Sequence, residues 1–211
     1  IEKFQSITGI DERKYVSGNV KSSDLAAIAA KKAIEDSNIN QETLDYIIVA
    51  HNFGDISCNS SQIDTLPSLS SKVKTILKIK NPKCVAYDII CGCPGWVEGV
   101  IQAKSFIKSG MAKKCLVIGS DTLSRVTDDN DRDSMIYADG SGAIILEYDN
   151  SDDSGILSHN SATYTFKGEN DFIYYGSSYN PEFSKNSNQK YIKMQGRKVY
   201  EFALTNVPAA M

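Results

Sequence analysis

The residues best suited to do chemistry are two cysteines that flank one glycine, in the run Cys91-Gly92-Cys93-Pro94. The pattern predicts that a buried strand ends just before them and that a helix begins at Pro94. Cys93 would then lie at a helix N-terminus, where unpaired backbone N–H groups and the helix dipole favour a thiolate. A strand–turn–helix junction of this kind suits a nucleophile. A buried cysteine that serves as a small apolar core residue is the alternative, and local sequence leaves both open.

The cysteines follow neither a zinc-binding nor a disulfide-rich pattern. Cys84, Cys91 and Cys93 are spaced C-x6-C-x-C, unlike the paired knuckles of structural zinc sites. The two histidines, His51 and His159, lie in unrelated segments and complete no ligand cluster. Five cysteines in 211 residues are too sparse for a disulfide scaffold. We therefore expect no metal, and free thiols in a reducing, cytoplasmic location.

The composition indicates a globular protein and argues against a nucleic-acid binder and a membrane-spanning protein. The 211 residues are 41% hydrophobic and 23% charged, which is typical of a globular chain. The formal net charge of −3 argues against a nucleic-acid binder, which usually carries a basic excess. The longest apolar runs, such as 46–50, are much shorter than the roughly 20 residues of a membrane span. We expect neither a nucleic acid nor a membrane as a partner.

Alternating helix and strand signals predict an α/β fold. The predicted helices cover about 22–38, a segment that starts at Pro67, 94–109, where Gly110 ends the helix, and 197–204. The predicted strands cover 45–50, 84–90, 114–120 and 143–148. Segment 150–190 is rich in Ser, Asn and Tyr and is predicted to form strands with long polar loops. One predicted strand therefore leads directly into the two cysteines, and one predicted helix leads away from them.

Segment 88–96 resembles the active-site segment of the β-ketoacyl-acyl-carrier-protein synthase III family, within the thiolase-like superfamily. Further motifs of that family occur in the same order along the chain, at 8–13, 22–26, 108–110, 117–125, 139–143 and 194–200. By this resemblance the catalytic cysteine of the family falls on Cys93. Arg132 matches the family's arginine that packs on the adenine of coenzyme A.

The resemblance implies a two-step decarboxylative Claisen condensation. An acyl-CoA primer would load its acyl group onto the Cys93 sulfur, and malonyl-acyl-carrier protein would then lose carbon dioxide and attack that thioester. The Cys93 backbone N–H would be one oxyanion-hole donor. Acyl-CoA is a substrate here, so no cofactor is implied. Family members are dimers, and the resemblance implies a homodimer in which strand 84–90 pairs with its twin.

The resemblance also implies a fold and a boundary. Residues 1–211 are expected to be the N-terminal half of a thiolase-like enzyme, a βαβαβ unit with a mixed five-stranded sheet flanked by helices. The family's HQAN-like and GNT-like motifs do not occur in the sequence, so this stretch alone is expected to have little or no condensing activity. Pro94 and Trp96 replace smaller family residues, which predicts an altered acyl pocket.

Two other functions remain open on the sequence. The chain could be a non-catalytic thiolase-like subunit that binds a partner or a carrier protein. It could also belong to a hydroxymethylglutaryl-CoA synthase-like or polyketide-type condensing enzyme. Selective alkylation of Cys93 would favour an enzyme, whereas equal alkylation of all five cysteines would favour a binding subunit.

Overall fold

The structure is a computed structural model that describes residues 2–60, 62–150 and 155–210. Its contacts divide the chain into two compact units. The sheet unit comprises Tyr15–Arg125 and Asp139–Leu157, and the hairpin unit comprises Ile1–Lys14, Val126–Ala138 and Ser158–Met211.

In chain order, the α-helices are α1 (Glu2–Thr8), α2 (Ser22–Ser37), α3 (Leu69–Ile76), α4 (Gly95–Lys108), α5 (Pro181–Asn186) and α6 (Gly196–Ala210). The strands are β1 (Tyr46–His51), β2 (Asp55–Ile56), β3 (Ile63–Asp64), β4 (Val85–Ile90), β5 (Lys114–Thr122), β6 (Asp139–Glu147), β7 (Ile173–Gly176) and β8 (Tyr191–Met194).

The sheet unit is built on a mixed sheet with the strand order β4-β1-β5-β6. Strand β1 pairs in parallel with both β4 and β5, so that Ile48 lies between Tyr87 and Val117. Strand β6 runs antiparallel to β5. The predicted α/β class with a mixed, helix-flanked sheet is confirmed.

The described part of this sheet has four strands, where five were expected. The segment after β6 was expected to supply further strands, but β7 pairs antiparallel with β8 in the hairpin unit. Three of the four β7 residues are exposed, so β7 lacks the continuous apolar character of a strand that is buried on both faces. Residues 151–154, within the predicted region 150–190, lie outside the described residues.

The predicted helices are present, but two begin later than expected; α4 begins at Gly95, where the sequence predicts Pro94. Helix α4 is followed by Gly110 in the left-handed region, with φ of 77°, as the sequence predicts. Helix α3 was predicted to hold Pro67 in its first turn, but it begins at Leu69. Ser68 is the N-cap, because its hydroxyl accepts the Ser71 N–H at 3.2 Å.

Apolar side chains cover the main sheet on both faces. One buried cluster joins α2 and α3 to one face of the strands, through Ala26, Ala30, Leu69, Val73, Leu116 and Ile118. A second cluster joins α4 to the opposite face, through Ile48, Ala103, Cys115 and Val117. Strands β1 and β5 are therefore buried on both sides, which explains their continuous apolar sequence.

Helix α4 lies unusually close to the sheet because its inner stripe consists of small residues. Gly95, Gly99 and Ala103 are its buried residues. A Cβ added at Gly99 would lie 2.9 Å from Cγ1 of Val117, closer than real carbon contacts. A Cβ at Gly95 would lie 3.3 Å from the Cβ of Ala50. The distance between α4 and the sheet therefore depends on these two glycines.

We predict that Gly99→Val destabilises the fold by about 2 kcal/mol, because the added methyl groups overlap the Val117 side chain in a packed core. Gly142→Val is the matched control, since a Cβ at Gly142 meets no atom within 4 Å and valine favours a strand. Urea unfolding of both variants measures the free energy. Equal stabilities would contradict the close packing.

Candidate functional site

The two cysteines lie in a turn between β4 and α4, which we call the cysteine turn (residues 91–94). The chain bends at Gly92, whose φ of 60° is in the left-handed region that favours glycine. The carbonyl of Gly92 accepts the Gly95 N–H at 3.1 Å. Pro94 is the N-cap of α4. Cys93 therefore lies immediately before the helix N-cap, as the sequence predicts.

The cysteine turn carries the exposed thiols of the chain. Cys91 and Cys93 are exposed, Cys58 is half-buried, and Cys84 and Cys115 are buried. Burial raises the pKa of the Cys115 thiol to about 12 and also raises the pKa of Cys84. The role of a small apolar core residue therefore describes Cys84 and Cys115. It does not describe Cys93.

The loop after β1 lies beside the cysteine turn and is held in place by Asp121 at the end of β5. Asn52 donates its backbone N–H to Asp121 Oδ1 at 3.0 Å and its side-chain N–H to Oδ2 at 2.6 Å. Burial raises the pKa of Asp121 despite these hydrogen bonds. Asn52 Oδ1 is 3.9 Å from the position that a Cβ would take on Gly92. The Asn52–Asp121 pair thus holds the loop after β1 in place next to the cysteine turn.

A second carboxylate, Asp88, joins three elements below the turn. The backbone N–H of Gly54 donates to His51 Nδ1 at 3.0 Å. His51 therefore carries its proton on Nε2, which donates to Asp88 at 3.0 Å. Asp88 also accepts the backbone N–H groups of Leu69 at 2.7 Å and Ser70 at 2.8 Å. One side chain of β4 thereby ties together β1, the start of α3 and the strand that leads to the cysteines.

Sequence reasoning did not find the pair formed by His51 and Asp88. His51 was assigned no role, because it lies far from other ligand-type residues along the chain. The available signal was that both residues fall near the carboxyl ends of two predicted strands. Only the parallel pairing of β1 with β4 brings the two strand ends to one edge.

The donors around Asp88 stabilise its ionised form. Burial raises the pKa of Asp88, but the hydrogen bonds from His51, Ser70 and Leu69 outweigh it and leave the pKa below its usual value. The ionised carboxylate therefore stabilises the fold above pH about 4, the usual carboxyl pKa. This contribution is lost as the pH falls below 4 toward the lower folded-state pKa.

We predict that Asp88→Asn lowers the free energy of unfolding at pH 7 by about 2 kcal/mol. The asparagine NH2 group would then face the N–H groups that now donate to the carboxylate, so at least one buried donor would lose its acceptor. The variant should also lose less stability than the parent protein when the pH is lowered from 5 to about 3. Asp36→Asn, at an exposed position of α2, is the matched control and should follow the parent at each pH. Parallel pH profiles of all three proteins would refute the role of Asp88.

The other predicted site residue, Arg132, belongs to the hairpin unit, whereas Cys93 belongs to the sheet unit. Arg132 opens a short 3-10 helix, Arg132–Ile136. Its side chain is 88% exposed, and its Nε is 3.6 Å from Asp133 Oδ1. The guanidinium group is therefore largely open to solvent.

The loop before Arg132 is anchored by a buried cation. The ammonium group of Lys193, on β8, lies 2.6 Å from Asp128 Oδ2 and 3.2 Å from Asp131 Oδ2. It also lies 3.8 Å from the centre of the Tyr179 ring. Burial raises the pKa of Asp128, but the hydrogen bond from Lys193 and other donors lower it well below its usual value. This ion cluster supports the segment that carries Arg132.

No group of three or more His, Cys, Asp or Glu side chains in the described part of the chain could hold a metal ion. None of the helices in residues 2–60, 62–150 and 155–210 has the length and apolar character needed to cross a membrane.

Residues 87–165 match the family model described as 3-oxoacyl-[acyl-carrier-protein (ACP)] synthase III. The chain is 35% identical to β-ketoacyl-[acyl-carrier-protein] synthase III of Ehrlichia canis over 97% of this chain and 59% of that protein. It is 33% identical to the protein of the same name from Streptococcus suis, over 100% of this chain and 61% of that protein.

The fold agrees with these sequence matches. A crystal structure of 3-oxoacyl-(acyl carrier protein) synthase III from Pseudomonas aeruginosa superposes with a TM-score of 0.74 at 26% identity. The match covers 97% of this chain and 58% of that one. The predicted thiolase-like fold is confirmed, and the chain spans about three fifths of the length of these relatives. Over that length, the chain is similar in sequence and in fold to the β-ketoacyl-acyl-carrier-protein synthase III family.

Proposed function

We propose that the protein containing this chain is an acyltransferase of the 3-oxoacyl-acyl-carrier-protein synthase III type, with Cys93 as its nucleophile. The observation that carries the proposal is the exposed Cys93 thiol directly before the N-cap of α4. Relatives of this chain are named β-ketoacyl-acyl-carrier-protein synthase III, and the family model covers this segment. An exposed cysteine sulfur beside a helix N-terminus is suited to attack a thioester.

In the first step, the Cys93 sulfur attacks the carbonyl carbon of an acyl-CoA. A new carbon–sulfur bond forms, the carbonyl oxygen becomes an oxyanion, and the Cys93 backbone N–H donates to it. The oxyanion collapses, the bond to the sulfur of coenzyme A breaks, and the coenzyme A thiolate takes up a proton. The acyl group remains on Cys93 as a thioester.

In the second step, malonyl-acyl-carrier protein loses carbon dioxide. The electrons of the broken carbon–carbon bond stay on the α-carbon, which attacks the acyl carbon on Cys93. The Cys93 sulfur leaves as a thiolate and is ready for another acyl group. This covalent route divides one difficult carbon–carbon bond formation into two easier steps.

The glycines of α4 and the Asp88 network position the nucleophile in this scheme. Gly95 and Gly99 keep the helix close to β1 and β5, so its N-terminus is held by the core. Asp88 restrains the strand that enters the turn. A rigid nucleophile needs little reorganisation when the thioester arrives.

We also propose that Arg132 contacts the adenine of the acyl-CoA. An exposed guanidinium group can stack on an aromatic ring, and the Lys193 cluster restrains the segment on which Arg132 lies. Arg132 would then bind the distant end of the primer and take no part in the chemistry.

The test of the nucleophile is acyl transfer to the protein from acetyl-CoA and from longer acyl-CoAs, followed by intact mass spectrometry. We expect the protein containing this chain to gain the mass of one acyl group and Cys93→Ser to gain none. Serine lacks the acidity and nucleophilicity of a thiol at neutral pH. Arg132→Ala should still be acylated, but at an acyl-CoA concentration about tenfold higher.

Cys58→Ser is the matched control, because it removes a half-buried thiol outside the cysteine turn. It should be acylated like the parent protein. Acylation that persists in Cys93→Ser would exclude Cys93 as the nucleophile. A parent protein that no acyl-CoA can acylate, although it is folded, would favour the non-catalytic binding subunit.

We further propose a homodimer in which two copies of β4 pair at the edge of the sheet. Strand β4 has only β1 beside it in the described sheet, and Val85 and Ile90 on it are exposed. An edge with exposed apolar residues favours pairing with another strand. The five free thiols also support a reducing compartment such as the cytoplasm.

We expect Val85→Lys to convert the dimer to a monomer in sedimentation equilibrium, because a lysine at the edge disfavours strand pairing. Ile28→Lys is the control, since Ile28 is similarly exposed but lies on α2. It should leave the dimer intact. A parent protein that sediments as a monomer at all concentrations would contradict the proposed interface.

A further inference from the structure

The cysteine turn holds a second thiol for which the proposed acyl transfer has no use. Cys91 is exposed and is separated from the nucleophile by one glycine. The remaining cysteines are half-buried or buried. The most accessible thiols of the chain are therefore neighbours in a single turn.

The backbone between the two cysteines suits a covalent link. In an extended strand, residues two apart project to the same side, with Cα atoms about 6.6 Å apart. A bend at the middle residue shortens that distance, and disulfides need about 4.4 to 6.8 Å. The chain does bend at Gly92, which has a φ of 60°. Glycine has no side chain to stand between the two sulfurs, and it tolerates further rotation.

No atom crowds Gly92, and one hydrogen bond, from the Gly95 N–H to the Gly92 carbonyl at 3.1 Å, would have to adjust in such a rotation. The nearest atoms to a Cβ placed at Gly92 are Pro94 Cδ at 3.8 Å and Asn52 Oδ1 at 3.9 Å. Both are ordinary van der Waals distances. In contrast, the elements on either side of the turn are restrained. Strand β4 is paired with β1, and α4 is packed closely on the sheet at Gly95 and Gly99. Closure of a small ring at Gly92 therefore requires movement only within the turn.

We propose that Cys91 and Cys93 are a redox modification site, in which a hydroperoxide converts the two thiols to a reversible disulfide. The free-thiol form described here is the reduced state. The consequence for acyl transfer depends on the proposed function, since it assumes that Cys93 is the nucleophile. The disulfide itself does not depend on that function.

The reaction balances with hydrogen peroxide as the oxidant. The Cys93 thiolate attacks one peroxide oxygen, the oxygen–oxygen bond breaks, and the hydroxide that leaves takes up a proton to form water. Cys93 is then a sulfenic acid. The Cys91 sulfur attacks the Cys93 sulfur, and the sulfenic hydroxyl leaves with the Cys91 proton as a second water. Two thiols are oxidised by two electrons, and one peroxide is reduced to two waters.

The disulfide would have two effects. It removes the sulfur that must carry the acyl group, so loading stops. It also protects that sulfur, because a sulfenic acid that meets no second thiol can proceed to the irreversible sulfinic acid. A thiol reductant such as dithiothreitol returns both thiols by exchange. Cys91 is therefore the resolving thiol, and Cys93 is the thiol that reacts first.

The experiment treats the reduced protein containing this chain with one equivalent of hydrogen peroxide, then blocks free thiols with N-ethylmaleimide in denaturant, so that the buried Cys84 and Cys115 also react. Peptide mapping without reductant locates the products. We expect a peptide that has lost two hydrogens and links Cys91 to Cys93, while Cys58, Cys84 and Cys115 are blocked. We expect acyl loading to fall about tenfold or more and to return after dithiothreitol.

Cys91→Ser is the informative variant. With excess hydrogen peroxide, of which one equivalent forms the sulfenic acid and a second the sulfinic acid, it should form Cys93 sulfinic acid, and its loading should not return with dithiothreitol; the parent protein, treated in the same way, should regain its loading. Cys58→Ser is the matched control, and it should form the Cys91–Cys93 disulfide like the parent protein. Each variant is compared with its own reduced state, so a change in basal loading does not affect the result.

Three outcomes would overturn the inference. They are N-ethylmaleimide on both Cys91 and Cys93 after oxidation, a disulfide between two chains or with another cysteine, and full recovery of Cys91→Ser by dithiothreitol. Failure of the proposed function gives a different result. In that case the Cys91–Cys93 disulfide forms in the parent protein, although reduced protein accepts no acyl group.

Discussion

The close approach of α4 to the sheet is the constraint on which the rest of the site depends. Gly95 and Gly99 allow the helix backbone to lie against β1 and β5, since a Cβ at Gly99 would overlap Val117 and a Cβ at Gly95 would be in tight contact with Ala50. The position of a helix N-terminus follows from the position of its axis. The cysteine turn is therefore set by packing in the core, although the turn itself is exposed.

Two half-buried carboxylates hold the chain segments on the other side of the turn. Asp88 ties β4 to His51 and to the first N–H groups of α3, and Asp121 ties Asn52 to the end of β5. Each accepts several hydrogen bonds, which outweigh the burial of Asp88, whereas burial still raises the pKa of Asp121. The cysteine turn thus lies between a close helix contact and a loop held by charge-assisted hydrogen bonds. The helix contact and the hydrogen-bonded loop restrain the backbone on both sides of the turn. Gly92 is the residue of the turn whose backbone dihedral angles can change most easily.

Much of the sheet unit could be predicted from the sequence because its signals are local. Apolar runs marked β1, β4 and β5, and Gly110 marked the end of α4. The boundary of α3 was missed because Ser68 forms the cap one residue after Pro67. The count of sheet strands was missed for a different reason. Which strands pair depends on tertiary contacts that the local sequence does not specify. The exposed strand β7 pairs with β8 and does not join the main sheet.

The sequence by itself indicated the order of the main helices and strands of the sheet unit, the location of Cys93 before a helix and the resemblance to a known family. Each of these follows from residues that are neighbours along the chain. The tertiary structure alone decided that Cys93 is exposed while Cys84 and Cys115 are buried, and that His51 meets Asp88. Both depend on which strands pair and which faces the helices cover. Those are contacts between residues far apart in sequence, and no local pattern encodes them.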